Sequence, residues 1–190
     1  MQIISEKNLE KISLPLPIYE TMHIADAIGK DGEKFSLLVG LDKNLALQLK
    51  TRSLDLNDIE LQKNTSDFKR FGVGSYEDWY KKNRTPFALV HNDTGILTTI
   101  IWFGPEPLIS DENNWHTVAW RSYIPFRGKG LMKDFSNFAM NFYLKYFPNI
   151  HLWISLKNGN IGSQELASRL GFQILKEKSD DVSCVMVKNQ

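Results

Sequence analysis

Apolar residues in this chain recur with two different periods. Leu131, Phe135, Phe138 and Phe142 are spaced by four, three and four, the period of one helix face, while residues 115–124 form an apolar run that stops at Pro125. Arg127-Gly128-Lys129-Gly130 lies between them. This order predicts a strand, a glycine-rich turn and a helix N-terminus in succession. Residues 35–41, 87–91, 96–103 and 150–156 are further short apolar runs bounded by turn residues, and read as strands. Asn92-Asp93-Thr94-Gly95 joins two of them as an antiparallel hairpin.

Helical spacing also follows Asp42, an N-cap residue, with Leu45, Leu49 and Leu56 on or near one face. Residues 57–74 mix polar and aromatic positions and read as a loop with one short helical turn. Ser75 to Asp78 is a helix-start pattern ending before Pro86, so two helices are expected here. Residues 161–170 make a last helix stopped by Gly171, and 172–175 with 182–187 make a final strand pair. Strand 115–124, the helix after it and strand 150–156 imply a parallel crossover, whose ligand site lies at the carboxyl ends of the strands. Leu14-Pro15-Leu16-Pro17 disfavours helix and central strand, so residues 1–34 read as an N-terminal arm packed on a domain of residues 35–190.

Composition narrows the class. A chain of 190 residues, 42% hydrophobic and 24% charged, has the make-up of one folded domain with a substantial core. Its formal net charge of +1 argues against general nucleic-acid binding, so any anion site is local. No run is long enough to span a bilayer and the first residues lack a secretory pattern, which makes a cytoplasmic location the expectation. Cys184 is the only cysteine, leaving no internal disulfide and no thiol pair for zinc; no metal is expected.

The glycine turn is suited to phosphate. Gly128 and Gly130 let backbone N–H groups approach an anion, the helix start presents unpaired donors, and Arg127 and Lys129 add charge. Downstream stands a second motif, Asn160-Ile161-Gly162-Ser163, running on to Leu170-Gly171-Phe172.

Together the motifs resemble those of the GCN5-related N-acetyltransferase (GNAT) superfamily: (Gln/Arg)-x-x-Gly-x-(Gly/Ala) at Arg127 and Gly130, then Asn-x-x-(Ala/Ser) and Leu-Gly-Phe at Asn160, Ser163 and residues 170–172. The resemblance implies an α/β (α+β) fold, a splayed, mostly antiparallel mixed sheet flanked by helices. The splay falls between the fourth and fifth strands counted from residue 35. It implies acetyl-CoA as co-substrate and direct attack by a primary amine, with the CoA pyrophosphate on the N–H groups of Gly128 to Met132. Cofactor contacts would come from Tyr123, Ile124, Arg127, Gly128, Lys129, Gly130, Leu131, Met132, Asn160 and Ser163. Asn-x-x-Ser is similar to the branch that acetylates ribosomal-protein N-termini, so a protein N-terminus and a small-molecule amine are both open as acceptor. Monomer and homodimer are open too. Two positions depart from the family: Met132 stands where it prefers glycine or alanine, and Ala167 where many members have an acid tyrosine.

Amine attack needs a base. His116, on the strand before the turn, is one candidate, with a histidine merely bonded to a neighbour as the other reading. Glu112, reaching in from the 104–114 loop, and Ser122, orienting substrate, are further candidates. A different class of function, a non-catalytic acyl-CoA sensor, fits the missing tyrosine.

Overall fold

A mixed nine-stranded sheet emerges from these short runs in the computed structural model, which describes residues 1–6, 12–109 and 114–189. The strands are β1 (Gln2–Glu6), β2 (Thr21–Ile28), β3 (Lys34–Gly40), β4 (Thr85–His91), β5 (Ile96–Pro105), β6 (Trp115–Ser122), β7 (His151–Lys157), β8 (Gln173–Ile174) and β9 (Ser183–Lys188), in the spatial order β1-β2-β3-β4-β5-β6-β7-β9-β8. Every neighbouring pair is antiparallel except β6 and β7. That one parallel pair is joined through helix α4 (Met132–Tyr146) in the order βαβ.

Alternation along each strand sends side chains to two cores. Phe87 and Leu89 of β4, Ile101 and Phe103 of β5, and Val118 and Trp120 of β6 pack with Phe135, Ala139, Met140 and Tyr143 of α4. Ala88, Leu97, Ile100 and Trp102 face the other way. They are covered by α1 (Lys43–Leu54), α2 (Ile59–Asn64), a π-helical turn (Phe68–Val73) and α3 (Tyr76–Tyr80). Asp42 and Ser75 cap α1 and α3 as their sequence positions predict, accepting from the Leu45 and Asp78 N–H groups.

Two expectations are revised. The N-terminal stretch does not merely lie on the sheet: β2 pairs with β3 and β1 with β2, so residues 1–34 include two of its strands. A register shift between His23 and Ala25 makes Ile24 and Ala25 both buried, which breaks the alternation by which a strand is recognised. In place of two helices between β3 and β4 there are three plus the π-helical turn, because Asp58 caps α2 inside a stretch without apolar period. Among the described residues, no helix is long and apolar enough to cross a membrane.

β6 is paired with β5 along its length, from His116 opposite Pro105 to Ser122 opposite Thr99. Its pairing with β7 is confined to Trp115, His116 and Thr117, opposite His151, Leu152 and Trp153. Past Thr117 the strands part, at the fourth and fifth strands counted from β3. Residues 118–122 of β6 therefore turn one unpaired backbone edge toward the gap.

Candidate functional site

The parted strands enclose a cleft of about 1020 Å3. One wall is β6, from Thr117 to Ser122. The other is β7, from Trp153 to Lys157, with the start of α5 (Ile161–Arg169). The glycine turn closes one end, and Arg70, Lys82, Arg84, Trp102 and Glu106 line the side covered by the first three helices.

At the turn, Gly128 and Gly130 have φ of +85° and +74°, the left-handed region that glycine enters without strain. Phe126 and Arg127 N–H groups donate back to the Tyr123 carbonyl, and Lys129 N–H to that of Phe126. The N–H groups of Gly128, Gly130, Leu131, Met132 and Lys133 have no acceptor among the described residues, and no side chain caps α4. These five donors lie at the positive end of a 15-residue helix, on the lip of the cleft, an arrangement suited to an anion. The Met132 side chain is partly buried against the main core while also lining the cleft. The nest, the parted strands and the absence of any Cβ at two of its residues fit a pyrophosphate followed by a long linear arm.

The basic side chains of the turn are used elsewhere. Arg127 makes two bonds to the Asp58 carboxylate, Nη1 to Oδ1 at 2.8 Å and Nη2 to Oδ2 at 2.6 Å, and also donates to the Ser122 carbonyl. Burial pushes the Asp58 carboxyl up, but the Arg127 bonds and the Leu61 N–H hold it below the ordinary range. Since Asp58 is also the N-cap of α2, this pair ties the glycine turn to that helix. Lys129 binds Glu33 at 2.7 Å on the loop between β2 and β3.

The other foreseen residues separate into those that line the cleft and those that do not. Ser122, Arg127, Gly128, Gly130, Leu131, Met132, Asn160 and Ser163 line it. Asn160 caps α5 by accepting from the Ser163 N–H, and the Ser163 hydroxyl accepts from Trp120 Nε1 at 3.4 Å, across the gap. Tyr123, Ile124 and Lys129 do not line it. Tyr123 turns into the core under α1, where burial raises its phenol, and the Ile124 carbonyl accepts from Arg52. Glu112 lies outside the described residues.

His116 is also absent from the cleft lining. The alternation that carries Ala119 and Arg121 toward the first three helices carries His116, with Val118 and Trp120, toward α4. There its Nδ1 meets the Tyr143 hydroxyl at 2.7 Å. Burial, with the charge of Arg84 nearby, pushes the imidazole down to about 4. The unfolded histidine keeps a value near 6.5, so it takes up a proton first as pH falls. Stability is therefore retained above about pH 6.5 and lost on descent toward pH 4, by roughly 2–3 kcal/mol from this residue. Urea unfolding of the protein and of His116→Gln over that range should show the variant losing less stability on acidification.

Several residues that shape the cleft carry no recognisable signal in the sequence. Asp67, fully buried, takes two bonds from Arg121, Nε at 2.5 Å and Nη2 at 2.7 Å, and one from Arg70 at 3.0 Å. Arg84 donates to Glu106 at 2.6 Å. Among the described residues lining the cleft there is no histidine, tyrosine or cysteine, and the carboxylates are Glu60 and Glu106.

Known structures share this architecture. The GNAT domain of PAT from S. lividans matches with a TM-score of 0.63 at 13% identity, over 86% of this chain and 96% of that one. An acetyltransferase from Agrobacterium tumefaciens str. C58 matches at 0.61 and 15%, over 96% and 100%. RimL, a ribosomal L7/L12 alpha-N-protein acetyltransferase solved with coenzyme A, matches at 0.59 and 14%, over 80% and 93%. At these identities the likeness establishes the fold, that of the GNAT acetyltransferases. No protein-family model and no curated protein matches the sequence.

Proposed function

We propose that this protein is an acyl-CoA-dependent N-acetyltransferase, moving acetyl from acetyl-CoA to a primary amine by direct attack. The observation that carries the reading is one juxtaposition: five N–H groups at the start of α4 without acceptors among the described residues, on the cleft that the unpaired edge of β6 also lines. Gly128, Gly130, Leu131, Met132 and Lys133 would hold the pyrophosphate through their backbones. Asn160 and Ser163 would flank the arm that runs between β6 and β7. Bound there, acetyl-CoA supplies an activated thioester carbonyl.

The chain's own groups then divide the proton work. Backbone donors on the free edge of residues 118–122 are aimed where negative charge develops on the carbonyl oxygen. The Glu106 carboxylate, held by Arg84, takes the proton from the amine directly or through one water. A C–N bond forms, the C–S bond breaks, and the Ser163 hydroxyl, in the first turn of α5, relays a proton to sulfur while taking one up from water. This role falls to Ser163 because no tyrosine lines the cleft among the described residues and Ala167 is buried. His116 is read as a structural residue.

Ser163→Ala should lower kcat on the order of 100-fold, the lower end of what a positioned proton donor contributes, with acetyl-CoA affinity little changed. Stopped assays of thiol release alongside calorimetry separate the two quantities. For the whole reading, calorimetry with acetyl-CoA followed by thiol release against an amine panel is the test. Absence of acetyl-CoA binding removes the reading, and binding without turnover on any amine leaves an acyl-CoA sensor. Ribosomal-protein acetyltransferases among the structural neighbours make a protein N-terminus one acceptor to include beside small amines.

A further inference from the structure

The side of the cleft beneath α3 is crowded with cations. Arg70, Lys82, Arg84 and Arg121 line it together with Trp102, and the Arg121 guanidinium is 4.7 Å and that of Arg70 5.9 Å from the Trp102 ring. The carboxylates bonded to these groups are Asp67 and Glu106. Asp67 lies fully buried with its oxygens committed to Arg121 and Arg70, while Glu106 meets Arg84 through Nη2 alone. Glu60 also lines the cleft, but on α2, where it holds Asn64.

Arg84 is the most informative of the four. It is 7% exposed, and its Nε and Nη1 are buried without any acceptor among the described residues. A guanidinium taken so far out of water normally has its donors filled, because an unmatched buried charge is costly. Its place is built into the backbone: at Gly104 of β5 an added Cβ would stand 2.7 Å from the Arg84 Cδ and 2.9 Å from Nη1. Arg70 is carried by the π-helical turn, a helix irregularity frequent at functional sites.

We infer that this arginine cluster selects an acceptor amine whose own molecule carries a carboxylate. The inference rests on the acetyltransfer reading and names its substrate class. Arg70 and Lys82, the more exposed members, meet the incoming carboxylate, and Arg84 beneath them adds charge. A planar, forked guanidinium suits a carboxylate better than a neutral amide, which returns no charge to the cluster. Polyamines and other cationic acceptors would be repelled by the same groups.

Two matched pairs test this on the intact protein. 4-Aminobutyrate against 4-aminobutyramide represents a free amino acid, and Ala-Glu-Ala amide against Ala-Gln-Ala amide represents an acidic peptide N-terminus. Calorimetry first establishes acetyl-CoA binding, then measures each acceptor on the CoA-loaded protein, and kcat/KM follows with acetyl-CoA. At least one carboxylate member should exceed its amide by about tenfold in affinity and kcat/KM, and that pair identifies the source. The ratio should fall toward one in Arg84→Gln and in Arg70→Gln; the second variant, at a part-exposed site, keeps the test valid if the first unfolds. Acetyl-CoA binding with no carboxylate preference in either pair, or a preference untouched in both folded variants, overturns the acidic acceptor while acetyltransfer stands. Loss of acetyl-CoA binding overturns acetyltransfer, and the acidic acceptor with it.

Discussion

Gly130→Glu should abolish acetyl-CoA binding, weakening it by at least about 100-fold while leaving the protein folded. Two effects act together. Gly130 sits at φ +74°, where a residue with a Cβ is disfavoured by roughly 1–2 kcal/mol. The new carboxylate also stands among N–H groups that would otherwise meet phosphate, so it both fills the nest and repels the ligand. The position is exposed, and the nearest atom to an added Cβ is Lys30 Cε at 3.9 Å, so the fold has room for the change. Calorimetry reads the affinity and thermal unfolding reads the fold. Affinity within a few-fold of the parent protein would show that the turn does not hold the pyrophosphate.

The largest effect on stability is expected at Asp67. Asp67→Ala leaves Arg121, which is mostly buried, without its two carboxylate bonds, and should cost about 3–5 kcal/mol. Asp67 offsets the burial that would otherwise weaken the Arg121 charge, and the guanidinium stays more basic than in water. The penalty belongs to the stranded cation more than to the lost attraction. A double variant, Asp67→Leu with Arg121→Met, should therefore be more stable than Asp67→Ala alone. Urea unfolding of the parent, the single and the double variant measures this. A single variant within 1 kcal/mol of the parent would show that the guanidinium finds water or another acceptor.

How legible these features were in the sequence depended on how local their causes are. The turn at Gly128 and Gly130 was readable because a left-handed glycine turn needs only a few consecutive residues and a helix to follow. The caps at Asp42 and Ser75 act over three residues and were equally plain. Asp58 with Arg127, 69 positions apart, and Asp67 with Arg121, 54 apart, left no trace, since nothing in either segment specifies its partner. β2 was hidden for another reason: its bulge at His23 to Ala25 breaks the period that marks a strand.

His116 shows where reading by strand position stops. Its residue type and its place upstream of the turn suit a base, yet which face of β6 it occupies depends on register against β5 and on what packs behind. Arg84 and Glu106 carry the converse lesson, two ordinary surface-type residues made into a cleft pair by the meeting of the α3 to β4 connection with the end of β5. By itself the sequence determined the order of the strands from β3 onward, the parallel crossover and the glycine turn within it, because periodicity and glycine act within a few residues. Tertiary structure alone decided which strand edge is left free, which side chains line it and which charges are paired, because those outcomes require segments far apart in the chain to share one low-dielectric space.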